Sequence, residues 1–413
     1  MTDRLAIVGG TRAVTASPPG SRGVEAPALA AARALLVRAE TDASVLSDLE
    51  GSGVVAAFEL AFASAVGARY AVAVSSGTAG LMTALVASGI GPGDEVIVCT
   101  YGWGSTVGAV LGVGAIPVFA DIDSSFCLCP RSVEEAVTGR TKSVIATHLF
   151  GHAADISGLS EVCERHGLTL LFDAAQALGT TINGAGIGGL GTASAFSLGR
   201  TKLLPAGEGG VITTNDEATY ERLVLVSQHP IRARHDIRAP HLNTLVDEVS
   251  LSLRLHGLAA VIATAALPAV PAAAQARRAT RHLIVEATAG IPGLNWPDVP
   301  AGVDPGFHIF ALSYTPGGVG GLPRQRFVEA MQAEGVPMLA GPVREPIHER
   351  ARFQEVTGAR RGGVLLTRAS ERCGHHELML ESPTQWVGVR DEYARQVAAA
   401  MRKVCQGIDQ ILH

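Results

Sequence analysis

Lysine is nearly missing from this 413-residue chain. Of its 33 basic residues only Lys142, Lys202 and Lys403 are lysines, and arginine fills the rest. Arginine serves wherever charge alone is needed, so each retained lysine raises the question of an amine. Cysteine is sparse too. Cys99, Cys127, Cys129, Cys163, Cys373 and Cys405 are too few for a disulfide framework and read as the reduced thiols of a cytoplasmic protein. Cys127 and Cys129 form a C-x-C with no Cys or His pair at zinc spacing nearby, so no metal site is expected. Charged residues make up 17% and the net charge is −5, which excludes the basic footprint of a nucleic-acid binder. The start lacks a basic region followed by an apolar run, so no signal peptide is read. Two uncharged stretches, 101–120 and 257–275, are long enough to raise a membrane. Glycines and a proline in the first, and Pro268 and Pro271 in the second, mark both as buried core, and no membrane partner is expected.

What is present is a regular alternation. From residue 53 the chain reads helix, strand, helix, strand. The strands are YAVAVS, DEVIVCT, IPVFADI, SVIATHL, LTLLFDA, SAFSLG and GGVITTN. Seven short apolar strands between helices predict an α/β domain with a mostly parallel sheet. The expected organisation is an N-terminal segment over 1–52, a large domain over 53–275 and a smaller C-terminal α/β domain over 276–413. VGGTRAV near the start lacks the third glycine of a nucleotide loop and is discounted. The His- and Arg-rich stretch 228–256 is expected to be a long excursion loop. There His229, Arg232, Arg234 and Arg238 read equally as binders of a diphosphate or carboxylate and as a solvated surface.

Four pieces fall at the carboxyl ends of predicted strands, where open α/β sheets bind ligands. Ser75-Ser76-Gly77-Thr78-Ala79-Gly80 turns from strand to helix, as a phosphate cradle or as an ordinary capped start. Asp173 is a helix cap or a carboxylate facing a protonated ring nitrogen, with Gln176 three residues on. Trp103, between Gly102 and Gly104, is a core aromatic or a stacking platform. Lys202 follows Ser197 by five residues and precedes a Gly-Glu-Gly-Gly run. It is a surface lysine, or an amine poised to attack a carbonyl as arginine cannot. Amine, carboxylate, aromatic and phosphate cradle together are what pyridoxal 5′-phosphate needs.

The stretches AVAVSSGTAGLMTAL, GPGDEVIV, GAIPVFADID, THLFGHAADI, LLFDAAQALGT and AFSLGRTKLLPAGEGGVITT carry a resemblance over roughly residues 53–216. In this order they resemble the DegT/DnrJ/EryC1/StrS family of sugar and aminocyclitol aminotransferases, which are fold-type I pyridoxal-phosphate enzymes. LAIVGGTRAV and RCGHHELMLESPTQWVG resemble the two ends of family members. The resemblance implies Lys202 as the cofactor's Schiff-base lysine, Asp173 on the pyridine nitrogen, Gln176 near the ring hydroxyl and Trp103 against the ring. Gly77, Thr78 and Ser197 would hold the phosphate. It also implies a homodimer in which each site is completed by the neighbour. Three departures stand out. SLSLRL keeps Arg254 but puts Ser252 where the family has an asparagine for the phosphate. His229-Pro230 replaces His-Gly, and ESPTQWVG takes the place of a proline-rich, histidine-bearing segment.

The resulting expectation is a cytoplasmic aminotransferase carrying nitrogen from glutamate or glutamine to a keto-sugar or keto-cyclitol. Antibiotic or other secondary metabolism is the expected setting. Two alternatives stay open: a lyase or aromatising synthase acting on an amino-carbocycle, separable by product analysis, and a non-catalytic scaffold. The family's sugar dehydratases carry histidine where Lys202 stands, which counts against that branch.

Overall fold

The computed structural model describes residues 4–16, 24–248, 250–341, 343, 345–351, 353, 377–380 and 391–412, with 377–380 described by backbone alone. The first nine strands are β1 (Tyr70–Val74), β2 (Glu95–Cys99), β3 (Ile116–Ala120), β4 (Thr141–Thr147), β5 (Thr169–Asp173), β6 (Thr181–Ile182), β7 (Ala185–Gly186), β8 (Ala193–Ser197) and β9 (Gly210–Thr214). Seven of them form one sheet in the order β1-β9-β8-β5-β4-β2-β3. Only β9 runs against its neighbours. Residues such as Val72, Val98, Val144 and Phe172 have no exposure, as strands covered on both faces require. This is the seven-stranded, mostly parallel sheet expected from the sequence. Helix Val54–Val66 ends at Gly67, whose φ of 72° lets the chain turn into β1. Its Phe62 meets Phe196 of β8 edge-on at 5.2 Å, which seats the strand that ends in Ser197.

The C-terminal part adds β10 (Leu294–Asn295), β11 (Val303–Asp304), β12 (Phe310–Tyr314), β13 (Met338–Leu339) and β14 (Glu377–Leu380). β10-β12-β14-β13 form an antiparallel sheet, while β11 joins β6 and β7. Helices Arg324–Ala333 and Asp391–Gln406 supply the apolar face of a second core, and Leu5 and Val14 belong to it. The stretch Gly257–Thr288 is long and apolar enough to cross a membrane. It consists of two helices joined through a turn at Pro268, and Ala260, Ala263 and Ala274 lie buried with Phe58 and Phe62.

The stretch 228–256 is not a plain loop, and this corrects the sequence expectation. It contains helices Pro230–Asp236 and Pro240–Asn243. Proline at the start of each needs no N–H partner, and the His229 ring caps the first by accepting the Ile231 N–H at 3.2 Å. The arginines hold this stretch together. Arg232 is buried in a two-pronged pair with Glu59 (2.8 and 2.9 Å) and also reaches Asp236. Arg234 meets Asp247, and Arg238 meets Glu217.

The segment carrying VGGTRAV wraps around one carboxylate. Glu334, with no side-chain exposure, accepts the N–H groups of Ala6 and Ala13, both at 2.8 Å, and pairs with Lys403 at 2.9 Å. Lys403 also donates to the Thr11 carbonyl at 2.6 Å. Removing the carboxylate strands a cation and two N–H groups together. Glu334→Ala is therefore expected to lower unfolding stability by about 3 kcal/mol in a urea titration and to open residues 4–16 to proteolysis. A shift below about 1 kcal/mol, the scale of one ordinary hydrogen bond, would contradict the clasp.

Candidate active site

Four of the parallel strands end at one edge of the sheet, and the predicted residues gather there. After β1, Ser76 caps helix Gly77–Ala87, its Oγ accepting the Ala79 N–H at 3.0 Å while its carbonyl accepts that of Gly80. The first-turn N–H groups of Gly77 and Thr78 remain for a ligand. A Cβ on Gly77 would stand 3.2 Å from the Ser197 Cβ, and one on Gly210 would overlap the Ser76 backbone at 2.4 Å. The ends of β1, β8 and β9 are thus pressed into one cradle that side chains would fill.

The Leu253 carbonyl accepts the Ser75 N–H at 2.8 Å and draws Arg254 alongside β1. Among the described residues, the buried Nε and Nη1 of Arg254 have no hydrogen-bond partner. Such a guanidinium is costly unless an anion reaches it, so cradle and cation together fit a phosphate. Ser252 is exposed with φ of 50°, and among the described residues it makes no bond to the Gly77–Thr78 turn.

Asp173, at the end of β5, is buried. Its Oδ2 accepts the Thr106 hydroxyl at 2.6 Å and its Oδ1 the Ala175 N–H at 3.1 Å. No helix follows it, so the helix-cap alternative fails. Thr106 escaped the sequence reading; its only signal is a hydroxyl one turn into the helix after Trp103. Gln176 is buried, and its Oε1 accepts the Phe150 N–H at 2.7 Å, which leaves its Nε2 to donate. Trp103 is 48% exposed at the N-cap of helix Gly104–Gly112, which rules out the core-aromatic alternative.

Lys202 lies half-buried in a loop closed at its base by Leu198 N–H to the Gly209 carbonyl and Ala206 N–H to the Leu198 carbonyl, both 2.9 Å. Buried Leu203 and Leu204 anchor the loop beside the amine. Burial lowers the Lys202 pKa, and the nearby charge of Asp173 works against it. His308, which the sequence reading also missed, is pushed well below its ordinary value by burial and by the charges of Lys202 and Arg277. Its backbone N–H donates to the Phe150 carbonyl at 2.8 Å, so Gln176, Phe150 and His308 are tied together beside the amine.

The structure does not bring Arg232, Arg234 or Arg238 to this edge; each is spent on a carboxylate elsewhere. ESPTQWVG lies outside the described residues. A proline-histidine segment does reach the strand ends, at Pro346-Ile347-His348, where the Ile347 N–H donates to the Thr100 carbonyl at 2.8 Å. Cavities of about 650 and 640 Å³ lie elsewhere, and neither includes Lys202.

Thr106→Val removes a donor from a buried carboxylate. It is expected to cost about 1–2 kcal/mol of stability and to weaken pyridoxal phosphate binding several-fold in an equilibrium titration; unchanged binding would contradict the role given to Thr106. Lys202 yields a signed pH effect in the protein without cofactor. Its folded pKa lies below its ordinary 10.5, so between the two values the unfolded chain binds the extra proton and stability rises with pH. The stability advantage of Lys202→Met over wild type should be largest below the folded pKa and shrink as pH approaches that ordinary value. A pH-independent difference would contradict it.

Comparison with known proteins gives the family. The sequence profile of the DegT/DnrJ/EryC1/StrS aminotransferase family matches residues 40–402. The L-glutamine:2-deoxy-scyllo-inosose aminotransferase of Streptomyces fradiae is 48% identical over 167 residues, 40% of this chain and 39% of that protein. The match thus spans about two fifths of that relative's length. The UDP-N-acetyl-3-dehydro-alpha-D-glucosamine 3-aminotransferase of Acidithiobacillus ferrooxidans is 32% identical over 360 residues, 85% of this chain and 88% of that protein. The crystal structure of an aminotransferase from Psychrobacter cryohalolentis superposes with a TM-score of 0.82 at 25% identity, covering 96% of this chain and all of that one. The chain belongs to the DegT/DnrJ/EryC1/StrS aminotransferase family.

Proposed function

We propose that this protein is a pyridoxal-phosphate aminotransferase that carries an amino group from glutamine or glutamate to a keto-cyclitol or keto-sugar. The observation that carries the reading is a lysine amine on a pinned, apolar-anchored loop within electrostatic reach of a buried, doubly hydrogen-bonded aspartate. The Streptomyces fradiae relative acts, by its name, with L-glutamine on a carbocyclic ketone, and the Acidithiobacillus relative on a UDP-linked keto-sugar. They support the donor and the acceptor classes; antibiotic or other secondary metabolism is the setting we propose. In this reading the protein is a cytoplasmic homodimer, residues 53–275 carry the cofactor, and Ser252 faces the partner's phosphate cradle.

The N–H groups of Gly77 and Thr78, the Ser197 hydroxyl and Arg254 would hold the phosphate. Trp103 would cover one ring face, and Gln176 would offer its amide N–H to the ring hydroxyl. Asp173, fixed by Thr106 and Ala175, would hold a proton on the ring nitrogen. Pyridoxal phosphate, when bound, supplies a carbonyl for the amine and a ring that accepts electrons. Lys202 would form the covalent link. Once released, its neutral Nζ would take a proton from the donor's α-carbon and return it, a task favoured by burial that lowers its pKa. His308, kept neutral by burial, adds no second charge to that amine.

Protein supplied with pyridoxal phosphate should show a visible band that Lys202→Ala lacks and that L-glutamine bleaches. A keto-cyclitol or UDP-keto-sugar should restore it with formation of the aminated product. A band that no amino donor bleaches would overturn the aminotransferase reading in favour of a lyase or synthase. No band in wild type would overturn the cofactor itself.

A further inference from the structure

The segment 345–350 makes a device that the proposed mechanism does not use. It crosses from the C-terminal part of the chain onto the end of β2 and is fixed there at two points. The Ile347 N–H donates to the Thr100 carbonyl, and the His348 ring Nδ1 shares a hydrogen bond with the Thr100 hydroxyl. Ile347 is buried in the large core, and the His348 ring lies 5.9 Å from that of Phe119. Thr100 is three residues before Trp103, so this anchor and the aromatic share one short connection.

The last residue of the segment is Arg350, half-buried. Its Nε and Nη2 both donate to the Glu345 carbonyl, at 3.2 and 3.1 Å. That clamp sets the plane of the guanidinium without neutralising it. By contrast Arg131, Arg140, Arg165, Arg232, Arg234 and Arg238 each meet a carboxylate. Nη1 of Arg350 has no hydrogen-bond partner among the described residues. It stands 3.7 Å from where a Cβ of Gly104 would be, and Gly104 is the first residue of the helix that follows Trp103. Two residues further along that helix, Thr106 holds Asp173. A pre-oriented guanidinium that meets no carboxylate among the described residues, beside an exposed aromatic at the mouth of a site, is suited to an anionic oxygen group on a substrate.

We propose that Arg350 binds such a group, carboxylate or phosphate, on the substrate at the mouth of the site beside Trp103. This rests on the cofactor reading above. Two sources share the chemistry: the carboxylate of the amino donor, and the diphosphate of a nucleotide-linked acceptor. A free cyclitol offers neither, so in an enzyme acting on one, Arg350 would serve the donor.

The test uses full-length protein loaded with pyridoxal phosphate and two unreactive probes, glutarate for the donor and UDP for a nucleotide-linked acceptor. Binding is read by calorimetry in wild type, Arg350→Gln and Arg350→Lys. Loss of one charge-assisted contact should weaken one probe by about 10–100-fold in Arg350→Gln. Arg350→Lys should recover part of the loss, since it keeps the charge and loses the fork. Weakened glutarate assigns the donor carboxylate, and KM for glutamine should rise with it while KM for the acceptor stays. Weakened UDP assigns the acceptor's phosphate, with the opposite split. Equal binding of both probes by all three proteins, with the lysine-dependent visible band intact, overturns the role of Arg350 and leaves the cofactor reading standing. Absence of that band in wild type overturns the cofactor reading instead, and Arg350 falls with it.

Discussion

A lysine amine withdrawn from water gives up its proton more easily, and a carboxylate close by opposes that loss. Lys202 is held under both influences. Much of the local structure serves to keep them in balance. The loop is pinned at Leu198 and Gly209, so the amine cannot drift into solvent. Asp173 is fixed by Thr106 and the Ala175 N–H, so the carboxylate cannot swing across to form a closed pair with the amine. His308 stays uncharged, which spares the site a second cation. The parallel sheet makes the arrangement possible because its strands deliver these groups to one edge from distant parts of the chain.

The site also depends on contacts made far from it. The cradle at these strand ends exists because Gly77 and Gly210 lack side chains and let β1, β8 and β9 close together. Trp103 rides on a connection anchored at Thr100 by residues 347 and 348, nearly 250 positions along the chain. Glu334 and Lys403 bind residues 6–13 into the second core, so the N-terminus and the C-terminal helix stabilise the same unit. Two of the three lysines thus have distinct duties: Lys403 carries structural charge, and Lys202 offers an amine.

The legible parts of the sequence were those governed by local pattern. Continuous apolar runs such as LTLLFDA marked strands covered on both faces, and all seven strands of the large sheet lie where those runs predict. Lys202 stood out because lysine is so rare here, and Asp173 because a carboxylate ended an apolar run. What could not be read depends on partners far away in sequence. Thr106 matters only through Asp173, 67 residues on. Arg232 looked like a solvated or ligand-binding cation, and its burial against Glu59, 173 residues away, left no local trace. VGGTRAV was set aside as a nucleotide loop, and the way it wraps Glu334 has no signature within the motif.

The account stands on one bond, the link between Lys202 and pyridoxal phosphate. Protein incubated with the cofactor, reduced with borohydride and digested should carry the pyridoxyl mass on the peptide containing Lys202, and on that peptide alone. A label on Lys142 or Lys403 instead, or no label on any peptide, would contradict the central claim.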